Sequence, residues 1–212
     1  MKKLSTDNPF FDFTGNLGDW IILNILFVVT SVPVITAGAS LTALYQVALR
    51  RQRRESNYVA REYIKAFREE WKQSTVLWII FLMTGVLLLF DIFYVGNLGK
   101  GMAIAIGCVT VVWSLVFSYA FPLQARFQNT IKNTFKNALV LSVRHLPYTV
   151  LIIGLNSIPV ICLAAGTFTT MMAFPIYCFA GFALTAKINS IFFDKIFREF
   201  MAKSEEVQKN EN

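Results

Sequence analysis

Charge is scarce in this sequence, and acid is scarcer than base. Charged residues make up 16% of 212, with 13 Asp and Glu against 20 Lys and Arg, while hydrophobic residues reach 55% and mean hydropathy is +0.52. A water-soluble domain carries about a quarter of its residues as charge, so most of this chain has no means of being covered by water. The single histidine and the three cysteines, Cys108, Cys162 and Cys178, which lie in apolar runs without paired spacing, give neither a disulfide framework nor a zinc ligand set. No metal, cofactor or catalytic residue is expected. The net charge of +7 is confined to segments between apolar runs rather than spread over an aromatic-studded face, which argues for membrane orientation and against nucleic acid. Asp7, Asp12 and Asp19 interrupt the N-terminal region before any apolar run, unlike a cleaved leader.

What is abundant is long uncharged sequence. Residues 20–49 hold no charge, and as one helix they would be roughly 45 Å long against a hydrocarbon layer of about 30 Å. Pro33 removes a hydrogen bond near the middle, so a kinked span over about 20–42 is predicted, with a continuation toward the headgroups. Residues 74–95 and 102–123 read as a helical hairpin about a turn rich in Gly and Asn, and 146–186 hold no charge and suit two spans, 147–166 and 170–190. The expected architecture is an all-α polytopic membrane helix bundle, one integral membrane domain over residues 1–212 with about five spans.

Three amphipathic segments accompany the spans. Ala60, Tyr63, Ile64, Phe67 and Trp71 recur at helical spacing within residues 58–72, and weaker versions cover 125–143 and 191–203. Such helices either lie at the membrane surface, gaining about 1 kcal/mol from anionic headgroups per nearby Lys or Arg, or pack on the inner end of the bundle. Residues 50–72 carry eight Lys and Arg against four Glu, and 125–146 carry four and no acid, which places both in the cytoplasm. Five spans then put the N-terminus outside. A re-entrant turn at Pro33 would instead keep Lys2 and Lys3 inside.

Few polar residues lie inside the spans. Asp91 is an acid within a predicted helix, near its outer end, where it serves either as an interfacial anchor that reaches water or Lys100, or as a proton- or solute-linked group. Ser31-Val-Pro33-Val-Ile and Ser157-Ile-Pro159-Val-Ile agree at four of five positions, with Asn156 preceding the second. Paired Pro-broken helices would mark a transporter's central site, but chance similarity between apolar segments explains the match as well, since the flanking spans share nothing further. His145 reads as an interfacial side chain, the Gly-rich run 96–101 as a tight turn, and Gly101/Ala105 and Ala103/Gly107, two pairs of small residues four apart, as positions that favour close helix contacts.

The stretch from Asn24 through Pro33, Thr36 and Gly38 to Tyr45, followed by a basic segment and the amphipathic residues Phe67 to Trp71, resembles the YesL family of bacterial membrane proteins. The resemblance is strongest over the first 75 residues or so. It implies a bacterial cell membrane location and an association with carbohydrate uptake, and it supplies no catalytic residues. The matching positions suggest only physical roles: close helix approach at Gly38 and interhelical hydrogen bonds from Asn24 and Thr36.

Three functions compete. The first is a non-catalytic accessory or assembly partner, with the bilayer, anionic headgroups and another membrane protein such as a sugar-uptake system as partners. The second is a small-solute transporter with Asn24, Thr36, Asn156 and Asp91 near helices broken at Pro33 and Pro159. The third, a membrane enzyme, would need acids, bases or ligands gathered at one face, and the sequence offers none.

Overall fold

The computed structural model describes residues 9–53, 55, 58–94, 99–127 and 129–211, and all regular structure among them is helical. α1 covers Pro9–Ser31, a 3-10 turn covers Val34–Thr36, and α2 covers Ala37–Gln52. α3 is a 36-residue helix, Val59–Tyr94, and α4 spans Gly99–Arg126. α5 (Ile131–Arg144) leads into α6 (Leu146–Ala164). The chain turns at Gly166, whose φ of +116° suits a residue without Cβ, and continues as α7 (Thr167–Ile176), a π-turn (Tyr177–Gly181) and α8 (Phe182–Glu211).

Four of the described helices are long and apolar enough to cross a membrane: Val59–Tyr94, Gly99–Arg126, Leu146–Ala164 and the composite Thr167–Ala202. Their apolar windows are barely buried within the protein, and large side chains such as Leu87, Phe93, Ile104, Val160 and Phe174 stand exposed. A surface of this kind needs lipid over it, which makes the chain a polytopic membrane protein with an all-α bundle fold.

The first span differs from the kinked helix predicted over 20–42. Pro33 adopts an extended conformation (φ −74°, ψ 110°) and ends α1, after which the chain reverses into α2. The two arms close on each other at their far ends: Arg51 Nη1 lies 2.7 Å from Asp19 Oδ2, and the Arg51 guanidinium sits 5.5 Å from the Trp20 ring centre. The apolar part of α1, Leu17–Ser31, is about 22 Å long and α2 about 24 Å, each shorter than a 30 Å layer. The segment has the form of a hairpin turned at Pro33, which the re-entrant alternative requires.

α2 is the hub. Gly38, Ala39, Ser40, Thr42, Ala43, Leu44, Tyr45, Val47, Ala48 and Leu49 are all buried, with α1, α3, α4 and α8 packed around them. Small side chains make this possible: a Cβ on Gly38 would sit 2.3 Å from Trp78 Cβ and 2.5 Å from the Ser74 carbonyl oxygen. The hydroxyls of Ser40 and Thr42 donate to the carbonyls of Thr36 and Gly38 in their own helix, so they pack without stranded polar atoms.

The amphipathic segments pack on the bundle. Tyr63 and Ala66 are buried in the first half of α3, Ala138 and Leu141 in α5, and Phe193, Ile196 and Phe197 in α8. The first and third are continuous with apolar helices rather than separate surface elements.

Two outcomes follow. Gly38→Ala lowers the thermal midpoint in detergent by the equivalent of about 1–3 kcal/mol, whereas Gly107→Ala, with open space around its Cβ position, leaves it unchanged. Single cysteines introduced at Ser5 and Ser56, in a background lacking the three native ones, react with an impermeant maleimide from the same side; reaction from opposite sides would refute the re-entrant hairpin.

Candidate functional site

Asn24 is fully buried in α1 and faces the π-turn. A π-turn widens the helix by one residue and disturbs the ordinary carbonyl pairing. The Asn24 side chain meets that need: Nδ2 donates to the carbonyls of Tyr177 (2.9 Å) and Cys178 (2.7 Å), and Oδ1 accepts from the Ala183 N–H (2.9 Å). One amide thereby ties the first helix to the last long one. Its role is structural, and no residue with a shorter or apolar side chain replaces it.

Thr36 and Pro33 belong to the hairpin tip. Thr36 Oγ1 donates to the carbonyls of Thr30 (2.5 Å) and Pro33 (2.7 Å), closing the turn, and Pro33 itself is exposed. Thr30 and Tyr63 share a hydroxyl–hydroxyl hydrogen bond of 2.5 Å, which pins the tip to α3.

Asn156 and Pro159 lie on α6 and line a cavity of about 440 Å³ between the hairpin, α4, α6 and the π-turn. Ser31 and Val32, next to Pro33, line the same cavity, so the two Pro-containing segments do meet at one place. Their conformations differ, however. Pro33 sits in a chain reversal while Pro159 lies inside a continuous helix, so the similar pentapeptides are not a structural repeat.

The cavity is walled by Phe27, Leu41, Trp78, Phe117 and Phe182, and its polar lining includes Tyr45 and Asn156. Asn189, fully buried in α8, donates through Nδ2 to Asn156 Oδ1 (2.8 Å) and to the Tyr45 hydroxyl (3.2 Å). Asn189 Oδ1, Ser31 Oγ and Trp78 Nε1 are buried with no hydrogen-bond partner among the described residues. In a low-dielectric setting each unmatched polar atom is costly.

Asp91 stands apart from all of this. It is exposed on α3, and among the described residues neither Lys100 nor any other cation pairs with it. No group of three or more His, Cys, Asp or Glu among the described residues is placed to hold a metal ion.

Sequence reasoning missed Asn189, and it missed two further polar groupings. Gln73 Nε2 donates to Gln124 Oε1 (3.1 Å) and to the Asn129 carbonyl, while Gln124 donates to Glu70 (2.8 Å). His145 Nδ1 lies 3.9 Å from Glu199 Oε2. The signal for Asn189 was present: it falls on the stripe Ala186, Asn189, Ser190, Phe193, Ile196, Phe197, a buried helical face that begins inside an uncharged run. The other pairings join distant residues and leave no local pattern.

Residues 20–92 match a family described as a protein of unknown function, DUF624. The matched stretch comprises the apolar arm of α1, the Pro33 reversal, α2 and nearly all of α3, which is the part organised around the buried hub. No curated protein and no solved structure matches the chain. These findings fit an uncharacterised membrane protein family.

Asn24→Leu removes three hydrogen bonds and strands two carbonyls and an N–H in the protein interior. It should destabilise the detergent-solubilised protein by about 2–4 kcal/mol, read as a lower thermal midpoint. An unchanged midpoint would show that the π-turn does not depend on this side chain.

Proposed function

We propose that this chain is a non-catalytic accessory or assembly protein of the bacterial cell membrane, which engages another membrane protein through the α3–α4 hairpin. The observation that carries this reading is the outward stripe of two small residues, Gly101 and Ala105, one turn apart on α4. Gly101 has nothing within 4 Å of its Cβ position, and both residues are exposed. Lipid tails gain nothing from such a stripe, but another helix does, because small residues let two backbones approach closely. Within the bundle the same device is already at work at Gly38, where the neighbouring helix is present.

The basic side chains support a second contact of the same protein. Arg61, Arg68 and Lys72 on α3, and Lys132 and Lys136 on α5, are exposed, which suits anionic headgroups at about 1 kcal/mol each. The resemblance of the Asn24–Tyr45 stretch to the YesL family supplies a sugar-uptake system as the class of partner.

A photo-crosslinking residue in place of Ala105, used in the native membrane, should capture one membrane protein, identifiable by mass spectrometry as a transport component. Gly101→Leu, one turn away on the same face, should abolish that capture while leaving the thermal midpoint unchanged. Recovery of lipid alone, or capture that survives Gly101→Leu, would refute the proposal.

A further inference from the structure

The cavity behind the hairpin tip is not needed for the proposed contact through α4, and its chemistry points elsewhere. We propose that it binds an uncharged amphipath: an alkyl chain whose head is an alcohol or ester oxygen, drawn from the surrounding lipid.

Size comes first. At about 440 Å³ the cavity falls within the roughly 300–1,000 Å³ of small-molecule sites, which is room for a single chain and not for a helix of a partner. Most of its wall is aromatic or aliphatic, which fixes the body of the ligand as apolar. A sugar or other polyol suits the same wall poorly, because most of the lining surface is apolar and gives its hydroxyls no partner.

The head is set by the residues around Tyr45. Asn189 donates to the Tyr45 oxygen and to Asn156 Oδ1, and Asn156 is within hydrogen-bonding reach of Tyr45 as well, which leaves the Asn156 N–H groups, and the Tyr45 O–H where it turns from Asn156, to offer a head. The complementary head is an oxygen acceptor. Carboxylate and phosphate would also accept, but none of the residues lining the cavity is acidic or basic, so a charged head would be buried without a counter-charge. Neutral oxygen remains. Ser31 Oγ and Trp78 Nε1, on two other lining residues, have no hydrogen-bond partner among the described residues and add further bonding capacity.

Access comes from the lipid side. Val32, which lines the cavity at the hairpin tip, is 75% exposed, and the neighbouring Val29, Val34 and Ile35 are exposed as well. An amphipath in the bilayer therefore meets an apolar rim before it reaches the polar groups inside.

The test uses the full chain in phosphatidylcholine vesicles, with Trp78 as the sole tryptophan after Trp20→Phe, Trp71→Phe and Trp113→Phe. An ω-bromo long-chain alcohol should quench Trp78 with saturation, and the matching ω-bromo carboxylate, held above its ionisation range, should need about tenfold more. Tyr45→Phe and Asn156→Leu should each weaken the alcohol by about tenfold, the worth of one hydrogen bond. Ala37→Leu, which narrows the cavity from a half-buried position on its wall, should remove the saturable part while helicity is retained. Should a variant lose its fold, the native protein decides: its thermal midpoint should rise with the alcohol and not with the carboxylate. Quenching that stays linear in alcohol, as for a groove filled only by bulk acyl chains, would overturn the proposal, as would equal affinity for the carboxylate.

Discussion

The close approach of α2 to α3 at Gly38 is the contact on which the other packing depends. Helices in lipid gain nothing from mutual hydrophobicity, so their association rests on contact area and on hydrogen bonds that cross between them. Glycine at this position brings the two backbones together, and the run of Ala39, Ser40, Thr42 and Ala43 keeps the rest of α2 thin enough to be surrounded. Around that thin helix the large side chains interlock: Trp78 with Phe117 and Phe121, and Tyr45 and Tyr119 edge-on to Phe193.

The hairpin turned at Pro33 is held by chemistry at both ends. Its tip is sealed by Thr36 and held by the Thr30–Tyr63 hydroxyl pair, so the carbonyls freed by Pro33 are bonded. Its base is clasped by the Asp19–Arg51 pair, with the cations of Arg51 and Lys187 at 5.5 and 5.3 Å from the Trp20 ring centre. A helix pair too short to cross the bilayer keeps its place because each end has a specific partner. Non-helical backbone at membrane depth is tolerated where protein surrounds it, and here α3, α8 and the π-turn supply that surround.

Hydropathy alone sufficed for the fold class, because a chain with uncharged runs of this length has one stable architecture in lipid. The amphipathic faces of residues 58–72, 125–143 and 191–203 were also readable, since a 3.6-residue period is a local property. Whether those faces meet lipid or protein was not, because that depends on what lies opposite: Tyr63 is buried by the hairpin, and Phe193 by Tyr45 and Tyr119. Pro33 announced a break without saying whether the chain bends or reverses. The decision rests on Asp19 meeting Arg51, a pairing 32 residues apart. At the cavity, Asn156 and Pro159 drew notice as polar and Pro-breaking positions, while Asn189, which orients Asn156, was hidden in a stripe that looks like ordinary packing. Asp91 drew notice for its charge, and the structure places it away from the cavity.

The Asn24 clasp also bears on biogenesis. Its partners lie 153 to 159 residues further along the chain, in the π-turn and at the start of α8. During translation the first hairpin therefore emerges long before the backbone groups it must bind, and neither of its arms is long enough to settle across the bilayer by itself. Early in synthesis it has to wait at the membrane, shielded by other means, until α7 and α8 arrive. The N-terminal quarter of this protein is made first and finished last.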